Sequence, residues 1–106
     1  MSQFVIVYLG GGEPSSPEEG EQNFAKYMEW LSSLGSAAVS PANPLKNSST
    51  VNPDGSVTVG TTGMSGYTII EAESMDSALE IAKACPFIDT GGSLEVSELL
   101  EMPGQK

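Results

Sequence analysis

Phe4-Val5-Ile6-Val7-Tyr8-Leu9 decides how this chain folds. The run is six residues long, rich in β-branched and aromatic side chains, and is stopped by Gly10-Gly11-Gly12. That length and content predict a strand. Successive side chains of a strand point to opposite faces, and here neither face is polar. Such a strand needs cover on both sides. Helices can cover one side, and the other side then needs a second layer.

Downstream, Ser16-Pro17-Glu18-Glu19 reads as a helix start. Ser16 suits the N-cap, Pro17 the first helical position, and Glu19 completes a capping box. Phe24, Tyr27, Met28, Leu31 and Leu34 form an apolar stripe at helical spacing. Gly35 is placed to end the helix, which predicts a helix over about 17–34. Residues 36–48 read as irregular, because Pro41 and Pro44 oppose a regular element. Asn52-Pro53-Asp54-Gly55 is a turn signal between Ser49-Thr50-Val51 and Ser56-Val57-Thr58-Val59, hence a hairpin. Gly60 to Gly66 reads as a loop and Tyr67 to Ala72 as a strand. Ser74 then caps a second helix with Met75, Ala78, Leu79 and Ala82 on its apolar side, and Pro86 ends it. Ser93 to Leu99 alternates as a last strand, and residues 101–106 form a tail.

The order β-α-β-β-(β)-α-β predicts an α+β fold of the ferredoxin-like, split βαβ kind, with two helices on one face of an antiparallel sheet. A single domain over 1–100 accounts for it. Tyr67 and Ile69 face away from Ile70 and Ala72, so the open sheet face would be an apolar patch, which marks an interface. Two copies stacked sheet to sheet, a homodimer, are the expected arrangement.

Composition narrows function by exclusion. The formal net charge is −10, from 14 acidic residues and 4 lysines, with no arginine and no histidine. Nucleic acid and anionic membrane surfaces are excluded as partners, since both require cationic side chains. No stretch reaches the roughly 20 apolar residues that span a bilayer. The start of the chain has no basic region and does not read as a signal peptide. One cysteine, Cys85, allows no intrachain disulfide, and the expected location is the cytoplasm. Without histidine there is no Ser-His-Asp triad and no histidine metal site. Neither a metal nor a cofactor is expected.

Gly66-Tyr67-Thr68-Ile69-Ile70-Glu71-Ala72-Glu73-Ser74-Met75-Asp76-Ser77-Ala78-Leu79, followed by Ala84-Cys85-Pro86 and Gly91-Gly92-Ser93-Leu94-Glu95-Val96, resembles the core of the YCII-related, or DGPF-domain, family. The resemblance covers nearly the whole chain. It implies a dimeric α+β barrel, in which two ferredoxin-like sheets pack together. It also implies a first-helix histidine paired with an aspartate for proton transfer in some relatives, one of them a dehydrochlorinase. The matching position here is Asn23 or Phe24, and neither serves as a base. Where the family's Asp-Gly-Pro-Phe motif belongs, this chain has Gly60-Thr61-Thr62-Gly63-Met64-Ser65. The chain therefore resembles a branch lacking both features.

Other groups have plainer readings. Cys85 follows a helix, where the dipole disfavours a thiolate, and reads as a buried thiol. Glu71 and Glu73 share a strand face and could divide acid and base roles, but they also read as a solvated strand end. Gly10-Gly11-Gly12 lacks the spacing of a dinucleotide loop. Tyr8, Tyr27, Trp30 and Tyr67, with Asn23 and Asn43, are the candidates to line a pocket. The competing reading makes the tyrosines and Trp30 core or interface residues with a satisfied polar tip. Function is accordingly expected to be a non-catalytic small-molecule-binding or accessory module. The alternative is a lyase or isomerase that uses carboxylates or tyrosines in place of histidine.

Overall fold

The computed structural model describes residues 2–10, 16–60 and 63–100. The elements are β1 (Ser2–Leu9), α1 (Pro17–Leu34), β2 (Ala38–Pro44), β3 (Ser49–Val51), β4 (Val57–Val59), β5 (Met64–Ala72), α2 (Met75–Lys83) and β6 (Ser93–Glu98). Short 3₁₀ turns occupy Gly35–Ala37 and Pro86–Thr90. Strands β2-β5-β1-β6 form one sheet in that order, antiparallel throughout. This is the ferredoxin-like arrangement, with the outer strands contributed by the middle and end of the chain.

Both helices begin where their caps dictate. The Ser16 hydroxyl accepts from the Glu19 backbone N–H at 3.1 Å, and the Ser74 hydroxyl accepts from that of Ser77 at 3.2 Å. Each bond satisfies a donor that the first helical turn leaves open. Gly35 ends α1 at φ 55°, a left-handed angle that glycine adopts without a Cβ clash.

The central strand pair sorts the sequence onto two faces. Phe4 lies opposite Ile70 and Ile6 opposite Thr68, all buried under the helices. Trp30 and Leu31 from α1, and Ala78 and Ala82 from α2, close this core. The two alanines let α2 lie close to the sheet. Val5, Val7, Leu9, Tyr67 and Ile69 occupy the other face and are only partly buried.

Three expectations are corrected. Residues 38–44 are a strand, although they contain Pro41 and Pro44. The reason is position: β2 is at the sheet edge, where a missing N–H costs no ladder bond on the open side. Its pairing with β5 shifts register twice, between Ala38 and Ser40 and between Ser40 and Asn43. Second, the hairpin of β3 and β4 is a separate two-stranded sheet and adds nothing to the main one. Third, β5 begins at Met64 rather than Tyr67, because Gly63 at φ 71° turns the chain and its carbonyl accepts from the Gly10 N–H at 2.9 Å. The tail at 101–106, Gly11 to Ser15 and Thr61-Thr62 lie outside the described residues.

Cys85 is 1% exposed, and burial pushes its thiol up to about 11. Burial also pushes the Tyr8 phenol well above its ordinary range. Both groups ionise more readily in the unfolded chain, so above the unfolded thiol pKa of about 8.5 the unfolded state holds fewer protons. Stability is therefore complete below that pH and is lost as pH rises toward about 11. Urea midpoints measured across this alkaline window should fall steadily, and Cys85→Ala should flatten the fall. A midpoint independent of pH would contradict the burial of both groups.

Candidate functional site

Of the stripe predicted for α1, Met28 is exposed and the rest divides between core and cavity, each joined by neighbouring residues of the helix. Trp30, Leu31 and Leu34 pack into the core. Gly20, Asn23, Phe24 and Tyr27, spaced i, i+3, i+4 and i+7, face a cavity of about 420 Å³. Ala42, Asn43 and Pro44 at the end of β2 form a second wall, and Ser65 and Gly66 of β5 with Tyr8 of β1 form the floor. Pro86, Phe87 and Thr90 of the 3₁₀ turn complete the lining. The size falls in the range of small-molecule sites, about 300–1,000 Å³, and the lining is mostly apolar as such sites are.

Hydroxyls meet at the floor. Tyr8 Oη hydrogen-bonds to Thr68 Oγ1 and lies 3.0 Å from Tyr27 Oη. Thr68 Oγ1 donates to the Pro41 carbonyl at 2.6 Å. The phenol rings of Tyr8 and Tyr27 meet edge to face with centroids 5.9 Å apart, and Phe87 tilts against Tyr8 at 5.2 Å. Burial keeps the Tyr8 phenol protonated. It is a hydrogen-bonding group there and not a base.

The sequence candidates separate. Tyr8, Asn23, Tyr27 and Asn43 come together around the cavity. Trp30 does not line it: the indole is buried and its Nε1–H donates to the Ile81 carbonyl at 3.1 Å, tying α1 to α2. Tyr67 also lies elsewhere, on the opposite sheet face, because it alternates with Gly66 and Thr68. Glu71 and Glu73 are remote from the cavity, and no carboxylate, lysine or cysteine lines it among the described residues. No group of three acidic, histidine or cysteine residues among them could hold a metal ion. Among them, too, no helix is long and apolar enough to cross a membrane.

Sequence reasoning missed Thr68, Phe87 and Gly92. Thr68 is fully buried, but a threonine in a strand gives no sign of which face is inward until register is known. Gly92 leaves room for Phe87: a Cβ built there would stand 2.2 Å from the ring. Gly92→Ala should therefore displace Phe87 from the cavity wall and cost about 1–3 kcal/mol as an overpacked site does. Thermal unfolding checks the cost, and an unchanged midpoint would show that the ring yields freely.

A ferredoxin-like α+β domain with a cavity between its first helix, sheet and second 3₁₀ turn is thus the class of protein defined. The chain belongs to the YCII-related domain family, whose model matches residues 4–103. Among solved structures it is similar to 5-chloro-2-hydroxyhydroquinone dehydrochlorinase from Burkholderia phenoliruptrix AC1100, in complex with 2,5-dihydroxybenzoquinone. That likeness has a TM-score of 0.61 at 21% identity and covers 98% of this chain and 99% of the other, a likeness of fold. No curated protein matches the chain. Asn23 and Phe24, the two positions that the family resemblance matches to a histidine, both stand on the cavity wall.

Proposed function

We propose that this chain is a small-molecule-binding module that performs no acid–base catalysis. The observation that carries this reading is a cavity of ligand size whose lining, among the described residues, is of neutral side chains alone. Proton abstraction needs a group that is unprotonated at the working pH and within reach of the substrate. Asn23 and Asn43 cannot take a proton, and Tyr8 is held protonated by burial. A thermal-shift screen of small aromatic compounds, uncharged, anionic and cationic, tests the reading. A ligand at about 100 times its Kd adds about 2.7 kcal/mol of apparent stability. Ala42→Trp, which fills the cavity from an exposed edge-strand position, should abolish the shift. A shift that survives this substitution would place the ligand elsewhere.

A second reading, a lyase or isomerase using tyrosine, is favoured by one observation, the full-length likeness of fold to a dehydrochlorinase. Turnover of a bound compound that disappears in Tyr8→Phe would establish it.

The module works, in this proposal, as a cytoplasmic homodimer. Val5, Val7, Leu9, Tyr67 and Ile69 form the apolar sheet face that a second copy would cover. Light scattering should give twice the chain mass, and Val7→Lys should halve it. A monomer at micromolar concentration would overturn this arrangement.

A further inference from the structure

The direction of the protons around the cavity follows from the atoms present. A carbonyl has no proton, so Thr68 must donate to Pro41. Its single proton is then committed, and Tyr8 must donate to Thr68. With the Tyr8 proton also committed, the 3.0 Å contact between the phenols is made by Tyr27 donating to Tyr8, in preference to its longer 3.5 Å contacts with the Pro41 carbonyl and Thr68 Oγ1. The relay starts at Tyr27, whose oxygen keeps its lone pairs, and ends on the Pro41 carbonyl.

The other polar groups of the lining are set the same way. Asn43 Nδ2 donates to Ser40 O, Ser40 Oγ and Tyr67 O at 3.0–3.2 Å, leaving its amide oxygen as an acceptor. Ser65 Oγ donates to the Tyr8 carbonyl at 3.3 Å and Thr90 Oγ1 to the Phe87 carbonyl at 2.6 Å. Among the described residues, the side chains of the wall thus offer oxygen lone pairs, and only Asn23 also has uncommitted protons. No cation stands among the described residues of the wall.

We propose that the cavity takes an uncharged phenol, an aromatic ring whose O–H donates to one of the oxygens that Tyr27 and Asn43 present, and rejects the corresponding phenolate. This deepens the small-molecule reading above and rests on it. The apolar and aromatic lining accepts the ring, and the oriented lone pairs require a donor. A phenolate brings no proton to the Tyr27 and Asn43 oxygens, finds a side-chain donor only in the Asn23 amide, and loses its hydration with no cation among the described lining residues to replace it.

The absence of histidine makes the test direct. Histidine is the side chain whose ordinary pKa lies between about pH 5 and 8, and this chain has none. Among the described residues, the cavity's own ionisable groups are the phenols of Tyr8 and Tyr27. Calorimetric titration with 4-nitrophenol, which ionises near neutrality, should show affinity constant below the ligand's pKa. Above it, affinity should fall about tenfold per pH unit. 4-Nitroanisole, the same ring with the proton replaced by methyl, should bind roughly three- to tenfold more weakly than the phenol. Ala42→Trp should remove both signals. Phenolate binding as tight as phenol, blocked by Ala42→Trp, would overturn the charge and donor selection while leaving the cavity a binding site. Anisole binding as tight as phenol would do the same. No binding by any of these compounds, or binding that Ala42→Trp leaves intact, would overturn the binding-module reading and this inference with it.

Discussion

Trp30→Ala should destabilise the protein by about 3–5 kcal/mol, the usual cost of truncating a large buried aromatic. Domains of this size hold roughly 5–15 kcal/mol in total, so the variant gives up a large share of its stability. Two losses add up. The indole is 6% exposed and sits between α1 and the rest of the core. Its Nε1–H also satisfies the Ile81 carbonyl in α2. Trp30→Phe keeps most of the ring volume and loses that bond, and should cost closer to about 1 kcal/mol. Urea unfolding of both variants measures the difference. Trp30 reaches the cavity only through Tyr27, whose ring lies 5.9 Å from it. Ligand affinity of the folded fraction should therefore change far less than stability. A stable Trp30→Ala that had lost binding would return this residue to the site.

Thr68→Val should cost about 1–3 kcal/mol, although valine has nearly the same shape. Thr68 is fully buried, and its hydroxyl both accepts from Tyr8 and donates to Pro41. Without it the Tyr8 proton loses its acceptor, and the Pro41 carbonyl loses its short bond. The substitution also changes the polarity of the site. The Tyr8 proton becomes available to the cavity, so the preference for a phenol over its phenolate should shrink. Unfolding midpoints and the ratio of the two affinities read these effects separately. Equal stability would mean that the relay does not hold the strands. An unchanged ratio would mean that it does not orient the ligand.

The helices were legible because their signals are local. Ser16-Pro17-Glu18-Glu19 and Ser74 with Asp76 set the first turns by bonds within four residues. The hairpin turn at Asn52-Pro53-Asp54-Gly55 was legible for the same reason: Asp54 accepts from the Ser56 N–H at 2.9 Å, two residues on. β2 was not legible. Its prolines argue against a strand unless one knows that the strand has an open edge, and edge position is set by pairing with β5, as of Asn43 with Tyr67 and Ala38 with Ile70, far along the chain. The site was half legible. Asn23 and Tyr27 follow from helical spacing and Tyr8 from its strand, but Trp30 lies one turn beyond Tyr27, the last α1 residue of the lining, and packs against α2 instead. Tyr67 lies one residue from the inward-facing Gly66, and one residue reverses the face of a strand.

The amino-acid sequence alone therefore determined an α+β chain with two capped helices, a central strand with no polar face, and a charge and residue content that rule out histidine chemistry. These are matters of local bonding and composition, which need no partner to express themselves. Tertiary structure decided the rest: which apolar side became core, which prolines were tolerated, and which hydroxyls met. Tyr8, Tyr27, Thr68 and Pro41 come from four separate elements, and their protons acquire a direction only when one carbonyl terminates the relay. Hydrogen-bond direction depends on every neighbour within about 3 Å, and that neighbourhood does not exist until the sheet has closed over the helix.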